Sequence, residues 1–256
     1  MTSSAPNPFT APASAGKPGH TPPSNFTIDY LKNFTFMFES PNWLLNVLFC
    51  TLAIFVPILG PIVLLGYQFY IGESLLRNPG SRYPDFDFNR LGDYIGRGIW
   101  PFLVVLAANL LMFPVIAIIY VLFFVIMAAA AGQGDAGFMA IPFIFLILGA
   151  LCSGILFAVV SQPMMLRSAL TQDFLQGFNF GFVFAYLSKV WVELLIGMAI
   201  IICLTPILAI LGVLVVCVGY FAAIAIGQMA YGYLNYQAYR LYLARGGEPI
   251  PLKYSN

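Results

Sequence analysis

The densest run of charged groups is Arg82, Asp85, Asp87, Arg90, Asp93 and Arg97, with both signs interspersed along one short stretch. Carboxylates set close together can divide the work of general acid and general base. That chemistry also needs a reacting centre, and no nucleophile, metal-ligand set or phosphate-cradling glycine loop accompanies these residues. Surface electrostatics is the plainer reading of them. The chain's one histidine, His20, stands in a Pro/Ala/Ser/Gly-rich leader, which leaves no histidine-based site. Cys50, Cys152, Cys203 and Cys217 lie in apolar runs without a CxxC spacing, the pattern of buried small hydrophobes rather than of a metal or redox pair. Glu73 with Arg77, and Lys189 with Glu193, are four apart and can meet on one helix face. Both pairs close apolar runs, where contact with solvent or lipid headgroups is expected. The sequence therefore nominates no catalytic residue, no cofactor and no metal, and it reads as a non-enzyme.

The elements that must position these charges are far more legible. Between Gly98 and Leu166 the only charged residue is Asp135, and Trp43–Gly72 and Leu194–Tyr239 carry none. The chain is 61% hydrophobic and 8% charged, against about 25% charged in an ordinary soluble domain. A charge at the centre of a membrane helix costs about 2.5–3.5 kcal/mol, so charge-free blocks of this length are what a bilayer selects. The fold class expected is all-α: a polytopic transmembrane bundle of about six helices, arranged as three hairpins joined by interfacial amphipathic helices. Its first partner is the lipid bilayer, then other membrane proteins. A net charge of +1 offers nothing to nucleic acid.

Three domains of behaviour are expected: a disordered tail over 1–25, a single transmembrane domain over 26–245 and a short tail over 246–256. Trp100–Met127 and Ile141–Arg167 make one hairpin around the break Gly132–Gly137. The run Leu194–Tyr239 is too long for one span, and its turn is expected between Thr205-Pro206 and Gly212. Trp43–Gly72 contains Val56-Pro57-Ile58-Leu59-Gly60-Pro61, which permits one long kinked helix or two short arms, Pro41–Phe55 and Pro61–Arg77. Two arms place every Lys and Arg on one side, which the positive-inside rule makes cytoplasmic, with both termini there, in an inner membrane. The sequons at Asn25 and Asn33 then face the cytoplasm and are fortuitous. Phe26–Phe38, Phe86–Trp100 and Phe174–Lys189 read as interfacial helices. They echo one another in Tyr30-Leu31-Lys32, Tyr94-Ile95-Gly96-Arg97 and Tyr186-Leu187-Ser188-Lys189, which suggests three repeated units.

The run Trp43…Pro57-Ile58-Leu59-Gly60-Pro61-Ile62-Val63-Leu64-Leu65-Gly66-Tyr67, then Arg77, Tyr83-Pro84-Asp85-Phe86 and Gly98, resembles the domain-of-unknown-function-4013 family of prokaryotic membrane proteins. The closing Gly227-Gln228…Tyr236-Gln237-Ala238-Tyr239-Arg240 fits its tail. The resemblance covers about residues 30–245. It implies a polytopic bacterial membrane protein and supplies no activity, ligand or catalytic residue.

Inside the spans the polar residues are few, and Asn109, Gln162 and Gln228 are the intramembrane candidates. Interhelical hydrogen bonding is the ordinary use of such residues; contact with a solute is the alternative. No ionisable group sits mid-span, where ion-coupled transporters usually keep one. A non-enzymatic module that packs against membrane proteins or organises lipid is the leading expectation. A permease-like protein for a small or lipidic solute comes second, on the strength of prolines at Pro57/Pro61, Pro114 and Pro206.

Overall fold

A long apolar run cannot leave its amides unpaired in a medium without water, so it folds as helix, satisfying each N–H within the segment. The computed structural model describes residues 25–131, 136–215 and 219–253, and its described residues are all-α with no strand. In chain order they form α1 (Lys32–Thr35) with a 3-10 turn at Phe36–Glu39, α2 (Trp43–Ile54) and α3 (Leu59–Arg77). A 3-10 turn at Phe88–Arg90 then leads into α4 (Leu91–Ala131) and α5 (Ala136–Thr171). The last group is α6 (Phe174–Gly177), α7 (Phe180–Val215) and α8 (Gly219–Ala244). Each group is a short turn followed by two longer helices, the threefold order that the tyrosine echoes suggested.

Among the described residues four helices are long and apolar enough to cross a membrane: Leu59–Arg77, Phe88–Ala128, Phe143–Thr171 and Phe180–Leu214. The shorter α2 spans about 18 Å at 1.5 Å per residue, less than a ~30 Å hydrocarbon core. α8 carries Gln228, Asn235, Gln237 and six tyrosines and occupies the centre, packed by α1, α2, α3 and α7. Asn235 and Gln237 are buried there with protein around them, whereas Gln228 is exposed.

The first apolar block is two helices, broken at Phe55–Ile58, where Ile58 takes φ 64°. Two prolines and a glycine within five positions remove more helix bonds than a helix tolerates. Single prolines do not. α4 runs through Pro101 and Pro114, and α7 runs through Pro206 to Val215. The turn expected at Thr205–Gly212 is therefore corrected: α7 continues unbroken to Val215 and α8 begins at Gly219, because one missing amide bends a helix without ending it. The interfacial segments at 86–100 and 174–189 are also corrected: their later residues are the opening turns of α4 and α7, continuous with the long helices.

Glycines set how closely the helices pass. A Cβ on Gly66 would lie 1.8 Å from the Tyr94 carbonyl oxygen, and one on Gly98 would lie 1.9 Å from that of Ile62. α3 and α4 thus touch backbone to backbone and run antiparallel. α7 and α8 do the same through Gly212 against Gly219 and Gly227 against Thr205. Gln68 against Gly232 and Gly72 against Tyr236 make α3 and α8 parallel. Such close approach maximises dispersion contact, the main attraction between helices when lipid replaces water as the competitor. In contrast, Leu110, Phe113, Val121 and Phe124 of α4 and Phe143, Phe145 and Leu156 of α5 are exposed.

Candidate functional site

The register of the helices brings the end of α3, the start of α4, the start of α7 and the end of α8 to one end of the bundle. The charged side chains gather there. Glu73 is the most buried of them at 6% exposure. It stands between Arg77, whose Nη2 donates to Oε1 at 2.5 Å, and Arg97, whose Nε donates to Oε2 at 3.0 Å. Arg97 also lies over the Tyr70 ring, 5.5 Å from its centroid, and Arg90 covers the same ring at 4.8 Å and donates to its hydroxyl. The sequence placed Glu73 in solvent or headgroups; the structure buries it, because Arg97 returns from the next helix to meet it. The i,i+4 spacing found Arg77, and nothing local could have found Arg97.

A second junction sits where α2 begins. The Asp85 carboxylate accepts from the Ser40 hydroxyl, from Asn42 Nδ2 at 2.8 Å and from Asn46 Nδ2 at 2.9 Å, while Asn46 Oδ1 accepts from the Phe86 N–H at 2.9 Å. Partial burial pushes the Asp85 pKa up, but the bonds from Ser40, Asn46 and Asn42 outweigh it and hold the carboxyl below its ordinary value. Tyr67 donates to the Pro84 carbonyl at 2.8 Å, and the Tyr94 hydroxyl accepts from the Asp87 N–H at 3.1 Å. Asp85 thus pins the loop to α2, Arg90 and Arg97 reach α3, and Asp87 and Asp93 engage Asn89 and Arg90 of their own stretch. They do not converge on a common point.

A third junction joins the segment around α1 to α8. Gln237 Oε1 accepts from the Asp29 N–H at 2.8 Å, and its Nε2 donates to the Asp29 carbonyl at 2.9 Å and to Asn33 Oδ1 at 2.8 Å. Asn33 is 2% exposed, leaving no room for a glycan and agreeing with the reading of its sequon as fortuitous. Beside this junction Arg245 pairs with Glu193, and Lys189 Nζ donates to the Arg245 carbonyl at 2.8 Å. Lys189 and Glu193, expected to meet each other, instead both engage the end of α8.

The three nominated intramembrane residues lie apart. Gln162 is wholly buried and its Nε2 donates to the Tyr186 hydroxyl at 3.2 Å, tying α5 to α7. Gln228 Oε1 accepts from Gln68 Nε2 at 2.8 Å, tying α8 to α3. Asn109 is exposed, and its Nδ2 donates to the Val105 carbonyl of its own helix at 2.8 Å. Two of the three bridge helices; the third bonds to a carbonyl one turn back in its own helix, as short polar side chains can. Cys50 is buried as expected, whereas Cys152 and Cys203 are exposed on apolar helix faces, and Cys217 lies outside the described residues. Among the described residues no group of three or more His, Cys, Asp or Glu is placed to hold a metal ion.

Residues 49–218 match the family described as "Protein of unknown function (DUF4013)", more than half of the chain. The chain belongs to the DUF4013 family. No curated protein and no solved structure matches it. The DUF4013 match spans the Glu73 pair, Asp85 and Gln162. The Asp29–Gln237 junction and the Asn46 side of the Asp85 junction lie outside it.

Proposed function

We propose that this DUF4013 protein is an integral membrane protein that works without catalysis, as a module that organises lipid or packs against other membrane proteins. The observation that carries the reading is the exposed apolar surface of α4 and α5, where Leu110, Phe113, Val121, Phe124, Phe143 and Phe145 have no protein over them. Soluble monomers rarely expose contiguous apolar patches beyond a few hundred Å², and hydrocarbon is the medium that accepts such a face. The polar junctions support the same reading. Each is used up in holding one helix or loop to another, and none presents a convergent set of groups to a substrate.

The charges gathered at one end of the bundle support a cytoplasmic placement of that end in a prokaryotic inner membrane, with both termini on the same side. Continuous helices through Pro114 and Pro206 remove two of the three broken helices on which a transporter reading leaned. The experiment has two arms. Membranes floated on a density gradient and washed with carbonate should retain the protein. Purified protein in liposomes should pass none of a panel of small and lipidic solutes, and should co-purify from native membranes with lipid or a membrane partner. Recovery in the carbonate supernatant overturns membrane residence; saturable solute flux overturns the non-transporting role. Single cysteines replacing Ser24, Asp135 and Lys253 test the crossings, since labelling of positions 24 and 135 from the same side contradicts three hairpins.

A further inference from the structure

Where α3, α5 and α8 meet, Gln68, Gly72, Glu73, Leu166, Asn235 and Tyr239 help to line a cavity of about 10 Å³. A buried water needs about 10–15 Å³ and two to four polar partners, so the space suits one water and no organic solute. Gln68 and Asn235 are 3% and 4% exposed, and both Gln68 Oε1 and Asn235 Oδ1 lack a hydrogen-bond partner. The Gln68 Nε2 donates instead to Gln228 Oε1 at 2.8 Å. A buried acceptor left without a donor costs about 1–3 kcal/mol, and native interiors rarely leave two in one place. The helices are held at close range beside them: a Cβ on Gly232 would sit 3.2 Å from the Gln68 Cβ. Asn235 follows about one turn further along α8.

We infer that this cavity is a hydration site for a single water, which donates one hydrogen to Gln68 Oε1 and the other to Asn235 Oδ1 and so joins α3 to α8. A metal cation suits the site less well. The two amide oxygens are uncharged, and the one carboxylate in the wall, Glu73, already accepts from Arg77 and Arg97. The inference does not depend on the scaffold role, since a water at this junction would serve any function of the bundle.

The test uses the full chain in lipid nanodiscs at a resolution that shows ordered water. A density peak about 2.5–3.0 Å from both oxygens is expected. An empty cavity overturns the inference. Gly72→Ala adds a Cβ that would meet only the Tyr236 Cβ at 4.0 Å, so it takes up cavity space without striking backbone. That variant should fold and lose the peak; a peak that persists in it also overturns the inference. In thermal unfolding, Asn235→Leu should lower Tm in the unmodified chain and lower it less in the Gly72→Ala background; equal losses count against the water. Exchange of sodium for potassium or choline should leave Tm unchanged, and a sodium-specific rise would make the site a cation site instead.

Discussion

Removing the Glu73 carboxylate should be among the most destabilising single changes in the chain, and its cost should divide unequally between its two arginines. Glu73 Oε2 and Arg97 Nε lie 3.0 Å apart, with side-chain exposures of 8% and 11%. At an effective dielectric of about 20, two unit charges at that separation attract by about 5–6 kcal/mol before desolvation is subtracted. Deleting one member of a buried pair costs about 3–5 kcal/mol, mostly because the survivor stays buried without its partner. Glu73→Leu should therefore lose about 3 kcal/mol or more. Arg77 is 33% exposed on its side chain, so Arg77→Met should lose no more than about 1 kcal/mol, the range of solvent-screened pairs. Arg97→Met should fall between the two, since Glu73 keeps Arg77. The double variant Glu73→Leu/Arg97→Met should be more stable than Glu73→Leu alone, because it no longer buries a guanidinium whose carboxylate has been removed. Reversible unfolding in mixed micelles, followed by circular dichroism, reads all four. The reasoning fails if Glu73→Leu lies within about 0.5 kcal/mol of the parent, or if Arg77→Met costs as much as Arg97→Met.

Asp85 gives the acid sensitivity of the α2 junction. Its folded-state pKa is held below the ordinary value, so its contribution is complete above the unfolded pKa of about 3.9 and disappears as pH falls through the folded value. Trp43, 5.1 Å from the Phe38 ring, can report this by fluorescence; Asp85→Asn should remove that part of the acid transition, and an unchanged titration would sink the idea. Gly98→Ala forces a Cβ to 1.9 Å from the Ile62 carbonyl oxygen and should cost at least about 1–3 kcal/mol as overpacking. Gly154→Ala meets nothing within 4 Å and should gain about 0.5–1 kcal/mol from helix propensity; equal effects of the two on thermal unfolding would refute the close approach of α3 and α4. Ile58→Gly should stabilise the chain by about 1 kcal/mol or more by relieving the φ of 64° that a β-branched residue resists, and a lower Tm would show that the Ile58 side chain matters more than its backbone.

What the sequence made legible was what depends on neighbours along the chain. Charge-free apolar length identified α3, α4, α5 and α7, and the crowding of Pro57, Gly60 and Pro61 located the α2–α3 break. The misplaced turn has a plain cause. Pro206 and Gly212 look like punctuation, yet the proline removes one bond from a helix long enough to spare it, and Gly212 is there to let Gly219 come near. The sites followed the same division. Polar residues in apolar runs drew notice to Gln162 and Gln228, but not to their partners, Tyr186 and Gln68, which lie 24 and 160 positions away. Asn109 looked identical in sequence, yet its side chain bonds to the Val105 carbonyl of its own helix. Glu73 looked solvated because Arg97 is 24 positions distant.

The tyrosine echoes carry the longest-range information in the chain. Tyr94 packs on Tyr67 of α3, and Tyr186 packs beside Gln162 of α5, each wholly buried against the second helix of the preceding hairpin. By the same rule the segment around Tyr30 should dock on the second helix of some hairpin, and the only one still without such a segment is α8. Gln237 of α8 receives it, through three hydrogen bonds to Asp29 and Asn33. The repeat therefore closes on itself: the first unit completes the last. Loop-closure entropy grows only with the logarithm of the separation, so a bond across 208 positions adds little to the cost of joining the ends. A repeated local rule can thus specify a contact that no local pattern contains, and the buried amides at Gln162 and Gln237 mark where successive units are fastened.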